Sequence, residues 1–308
     1  GVRMIVRDRP GSLGLLFAWR GSILPRIAPH MLAVCLFSAI VEGIHQFHYY
    51  DFSKYSVAPF TLLGIALSIF LGFRNNASYD RWWEGRKQFG QLVCDIRSIG
   101  RASYILLGDH PTRRLMLQWV SAHSHALRGQ LRKQGIPDEA IAAVRDVPGF
   151  DEAEMRRQRS VPDYCLRQIG FLMRKLLRAG ELDSVGVREL DEHFSRLTDV
   201  QAACERLVSA PIPFAYSLLT HRTVHIYCYL LPFGLAGTMS WFTPVFSLVV
   251  AYTFFGLEAL AQELEEPFGL QPNHLPLTAI CRVNDISIAE SLGDEPPEPL
   301  RPDGHILQ

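Results

Sequence analysis

The stretch Tyr55–Phe73, YSVAPFTLLGIALSIFLGF, contains no Asp, Glu, Lys or Arg across 19 residues. About 20 mostly apolar residues suffice for a helix to cross the hydrocarbon core of a bilayer, so this stretch reads as a spanning helix. A second charge-free run, Thr223 to Leu257, is 35 residues long and exceeds one crossing. Trp241, Thr243 and Pro244 interrupt it, which predicts a hairpin of two spans. Ile27–Val41 (IAPHMLAVCLFSAIV) is shorter, carries His30, and is marginal alone. Four spans follow from these three runs.

The helical repeat divides the decisive stretch into two stripes. Ile65, Ile69 and Phe73 recur at i, i+4 and i+8 on one face, and Gly64, Ser68 and Gly72 form a parallel row of small residues. Small rows let helices approach closely in lipid, where packing replaces the drive that water supplies. Bulky apolar rings around a shared axis would make a constriction that sheds water. Alternatively, both stripes could pack inside a monomeric bundle.

Between the apolar runs lies a charge-rich middle, residues 75–221, with helical periodicity. Leu117, Val120, Leu127 and Leu131 fall near one face, and Cys165–Leu177 behaves alike. Pro137, Pro148 and Pro162 mark loops, and Asp183-Ser184 before Val185 resembles a helix N-cap. The predicted organisation is an N-terminal cytosolic segment 1–26, spans one and two within 27–73, and a helical cytosolic domain 74–222. Spans three and four follow within 223–264, then a segment 265–293 packing on that domain and a disordered tail 294–308. Gly1–Arg3 reads as an expression remnant.

Arg7, Arg9, Arg20 and Arg26 precede span one; Arg74, Arg81, Arg86 and Lys87 follow span two; Arg206 and Arg222 precede span three. The connection between spans one and two has only Lys54, and the hairpin turn has no charge. This bias puts both termini and the polar middle in the cytoplasm. The whole chain balances 31 basic against 31 acidic residues, which gives no case for nucleic-acid binding. Six scattered cysteines read as free thiols. There is no P-loop, GxGxxG, HExxH or GxSxG, so nothing nominates a catalytic residue, and no enzyme is expected.

The block that continues span two, Leu71–Arg86 (LGFRNNASYDRWWEGR), resembles the signature of the bacterial bestrophin family of ion channels. Trp19-Arg20-Gly21-Ser22 and Glu266-Pro267-Phe268-Gly269 agree with it. The resemblance runs from about Met4 to Glu290. It implies an all-α homopentamer around a central pore, with four spans per subunit and a cytosolic vestibule. Ile65, Ile69 and Phe73 would form its hydrophobic neck and Val185 its cytosolic aperture, with Val187 two positions away. Vertebrate members place a Phe in mid-neck and conduct anions. Ile69 matches the bacterial relatives described as sodium-permeable, so monovalent cations such as sodium are the expected ions and chloride the alternative. A membrane transporter is a further alternative, but spans two and four offer almost no ionisable groups at mid-membrane. Animal channels hold calcium with acids after the Pro-Phe-Gly triplet. Here Gln271 and His274 occupy two of those positions, so no calcium site or other cofactor is expected.

Paired histidines and isolated or clustered acids remain. His221 and His225 have the i, i+4 spacing of paired metal ligands, but with no third ligand nearby in sequence an interfacial or core role is the plainer reading, as for His45/His48 and His123/His125. Glu258, Glu263, Glu265 and Glu266 read as a solvated helix end or, more sharply, an attraction for cations, and Glu42 as lining an outer entry or reaching to water.

Overall fold

The computed structural model describes residues 4–5, 22–301 and 306–307. Arg7, Arg9, Trp19, Arg20 and Gly21, used above for orientation and resemblance, lie outside them, as do Gly1–Arg3. The regular structure of the described residues is helical apart from one ribbon, in which the two-residue strands β1 (Met4–Ile5) and β2 (Ile306–Leu307) pair antiparallel, the latter in the tail read as disordered.

Two compact units result. The first contains described residues 22–82 and 211–266. Helix α1 (Leu24–Gln46) opens with Pro25 in its first turn, where a missing N–H costs nothing. Its 23 residues span about 35 Å, so span one is longer than its apolar core of Ile27–Val41 suggested. Helix α2 (Ala58–Leu107) is 50 residues long, and its charge-free first third is the membrane-crossing part.

The long apolar run breaks where the sequence placed the break. Helix α8 (Phe214–Met239) ends at Ser240, whose φ of 51° is a left-handed strain, and a single tight turn leads into α9 (Thr243–Glu265) with Pro244 in its first turn. Ile27, Val34, Leu67, Leu71, Val224, Tyr227, Phe254 and Phe255 form the core these four helices share. Close α2–α8 packing depends on glycines: a Cβ at Gly64 would meet the Tyr227 hydroxyl at 2.6 Å, and one at Gly234 would meet the Phe60 ring at 2.5 Å.

The second unit contains described residues 83–210 and 267–301 with the ribbon. Its centre is α3 (Pro111–Leu131), buried continuously from Ala122 to Gly129. Against it pack α4 (Asp138–Val144), α6 (Val161–Ala179) and α10 (Leu277–Leu292), while α5 (Glu152–Arg157) contacts α6. Leu117, Val120, Leu127 and Leu131 are all buried, as their spacing predicted. Pro162, expected in a loop, instead sits in the first turn of α6. Gly180 ends α6 at φ 73°, the left-handed cap glycine adopts freely, and Asp183 caps α7 (Ser184–Ser209) by accepting the Gly186 N–H at 2.7 Å. Buried Arg113 ties three helices together, donating to the Gly100 and Ser291 carbonyls at 3.2 and 2.9 Å.

His123 lies in this core with Nε2 3.4 Å from Gln201 Oε1, and burial pushes its pKa from 6.5 down to about 4. An unfolded imidazole takes up a proton near pH 6.5 while the folded one resists until about 4. Stability is therefore whole above pH 6.5 and lost as pH falls towards 4, by about 3 kcal/mol at the low end. Denaturant midpoints between pH 7 and 4.5 should fall more steeply for the parent than for His123→Gln. Parallel slopes would contradict the buried neutral imidazole.

Candidate functional site

Helix α2 presents two opposed faces to its own subunit. Leu67, Leu71, Arg74 and Ser78 are buried. About half a turn away, Ile65, Ile69 and Phe73 are 55, 53 and 64 % exposed. The stripe continues into Asn76 and Asp80, both exposed, and Asp80 has no ion pair among the described residues. Apolar side chains thus give way to polar ones along a single helix face. The small row is split: Gly64 abuts Tyr227 within the subunit, Ser68 Oγ donates to the Gly64 carbonyl at 2.8 Å, and Gly72 faces open space.

Directly after Phe73 the buried face carries a charge. Arg74 is 1 % exposed, with Glu258 Oε1 at 3.8 Å and Glu265 Oε2 at 3.7 Å. Arg26 reaches Glu263 at 3.7 Å and donates to Gln262 Oε1 at 2.8 Å, and Arg81 Nε donates to the Glu265 carbonyl at 3.0 Å. Glu258 and Glu263 are buried, at 4 and 6 % exposure. The solvated helix end read from the sequence is therefore incorrect for these two: packing of α1 and α2 against α9 encloses the acids and supplies their counter-charges. Asn75 closes the same region, donating to the carbonyls of Leu71 and Leu257 at 2.9 and 3.2 Å.

The histidine pair also gains a partner that sequence distance concealed. His221 Nδ1 lies 2.6 Å from Glu258 Oε1, and the rings of His221 and His225 sit 4.2 Å apart. At the other end of the spans, Glu42 is fully buried and accepts from Gln46 at 2.7 Å, while Gln46 also reaches Ser240 Oγ at 2.9 Å. It neither lines an entry nor reaches water. It holds the Gln46 amide, which in turn ties α1 to the hairpin turn.

In the second unit, Val185 stands on the first turn of α7 and is 72 % exposed, while Val187 is half-buried. His274 is buried and its Nδ1 accepts the Gln271 N–H at 3.0 Å, so these two residues brace the loop after Pro267-Phe268-Gly269. Buried His123 and His125 are core residues, the latter 2.8 Å from Asp285.

Four membrane-length helices around a shared apolar core define a multi-span helical membrane protein. The chain belongs to the bestrophin family: the profile described as "Bacterial/Fungal Bestrophin protein" matches residues 4–290. The voltage-dependent anion channel-forming protein of Mesorhizobium japonicum is 44 % identical over 300 residues, covering 96 % of this chain and 95 % of the relative. Its counterpart in Escherichia coli K12 is 37 % identical, with 98 and 99 % covered. Among solved structures, a bacterial bestrophin homologue from Klebsiella pneumoniae matches at a TM-score of 0.82 and 35 % identity, covering 88 % of this chain and all of that one. This chain is accordingly an ion-channel subunit and not an enzyme.

Proposed function

We propose that five copies surround one axis, with Ile65, Ile69 and Phe73 as the neck of an anion-conducting pore and Val185 at its far aperture. The observation that carries this reading is the exposure of the Ile65–Ile69–Phe73 stripe on the face of α2 opposite its packed side. Lipid would cover such side chains, as it would Leu32, Leu36 and Ile40 on α1, whereas a symmetric set of copies would turn them toward one another around a water-poor passage. The relatives' names, voltage-dependent anion channel-forming proteins, support anions, the alternative in the sequence reading.

A second reading, monovalent cations such as sodium, has its own observation. Asp80 is exposed on the stripe just beyond Phe73, and five copies would ring the passage with negative charge. Reversal potentials in asymmetric NaCl separate the two, because chloride and sodium selectivity give opposite signs. Under the anion reading Asp80→Asn leaves that sign unchanged. A sodium-directed potential that shrinks in Asp80→Asn would replace the first reading with the second.

Arg26, Arg74, Arg81, Arg86, Arg206 and Arg222 flank one side of the spans, against Lys54 alone on the other. That bias supports a multi-pass inner or plasma membrane protein with cytoplasmic termini. Gln271 and His274 at the loop after Phe268 support the absence of calcium gating, since calcium prefers several oxygen ligands. Self-assembly is read from the mass of the solubilised particle: five times the 34.8 kDa chain supports the pore, and a single chain leaves no axis.

A further inference from the structure

We propose that His221, His225 and Glu258 form a binding site for a divalent transition-metal ion of the zinc type. The i, i+4 spacing puts both imidazoles on one face of α8, and α9 brings the buried Glu258 carboxylate to them. One ligand atom from each residue can be chosen so that all three lie within 4.8 Å of one another. Two imidazoles and one carboxylate make a donor set used by zinc sites that keep a fourth position for water. Hard ions such as magnesium and calcium favour oxygen ligands instead.

Two further features fit an ion here. His225 Nδ1 lies 2.9 Å from the His221 carbonyl oxygen; its N–H donates to that oxygen, which turns Nε2 out as a lone-pair donor. Such backbone bonds commonly fix the tautomer of metal-binding histidines. The cluster also borders a cavity of ≈ 70 Å³, shared with Arg26, His30, Phe255 and Gln262, roomy enough for an ion with water. Nearby, Glu258, Glu263, Glu265 and Glu266 are matched by Arg26, Arg74, Arg81 and the neighbouring Arg222, so no excess of positive charge opposes an ion. When Glu258 turns to an ion, Arg74 keeps Glu265 as its partner at 3.7 Å.

The test uses detergent-solubilised, full-length protein stripped with EDTA, and zinc alone as the probe. Calorimetry should find about one zinc per chain in the parent, with affinity at least about tenfold weaker in His221→Gln and in His225→Gln. Excess magnesium or calcium should not compete. Melting curves in EDTA accompany each variant, so a folding defect is seen as such. In that event zinc-edge anomalous scattering from parent crystals decides, by a peak among the three residues or none. Equal zinc binding by parent and both variants, or equal displacement by calcium, would overturn the site. Neither readout involves conduction, so its failure leaves the channel reading intact, and the reverse.

Discussion

Truncating Ile65, Ile69 and Phe73 together to alanine is expected to raise unitary conductance roughly tenfold, equivalent to lowering the barrier by about 1.4 kcal/mol. An apolar ring hinders ions by forcing them to shed water where no polar group replaces it, so widening the ring lets water return. Because all three side chains are more than half exposed in the subunit, their removal takes little packing from its core. Subunit folding should survive, and the effect should appear in planar-bilayer current. Ile69→Phe, which narrows one layer and changes its chemistry, should alter conductance or ion preference by itself. A triple variant conducting like the parent would mean that the stripe faces lipid.

Replacing Arg74 by leucine should destabilise the membrane unit by about 3–5 kcal/mol, enough to lower the yield of folded protein sharply. Arg74 is buried between Glu258 and Glu265; its loss takes the 3.7 Å ion pair from Glu265 and leaves Glu258 with His221 as its basic partner, in a poorly solvated site. The cost is that of unmatched charge rather than of lost packing, since leucine fills much of the same space. Adding Glu265→Gln to Arg74→Leu should therefore recover part of the stability, whereas a packing defect would deepen. Melting of the three purified proteins in one detergent measures this. Arg74→Leu melting with the parent would show that the cluster is hydrated in the assembled protein.

The membrane architecture was legible because a bilayer imposes a simple rule on composition: long charge-free runs, closed by a break such as Ser240–Pro244, leave few other structures. The Ile65, Ile69 and Phe73 stripe was legible as one face of the 3.6-residue repeat, but the small row Gly64, Ser68 and Gly72 was read as the packing face, whereas Leu67, Leu71 and Arg74 are the residues that pack within the subunit. The length of α1 was under-read because His30 and Glu42 dilute an apolar count, and the Gln46 amide that lets Glu42 be buried is recognised only once the helix exists. The acidic cluster was misjudged for a related reason. Whether Glu258 meets water or Arg74 depends on how helices distant in sequence pack, and local composition holds no record of that. The same applies to the histidine pair, whose third partner lies 37 residues beyond His221. The i, i+4 spacing was a usable signal. What it lacked was a way to know which helix would lie opposite.

A reconstruction of the detergent-solubilised particle at side-chain detail tests the central claim most directly. It should reveal a ring of five chains with the Ile69 side chains facing one another across the axis, between the layers of Ile65 and Phe73. Finding those three residues against the detergent belt, or enclosed within a single chain, would contradict it.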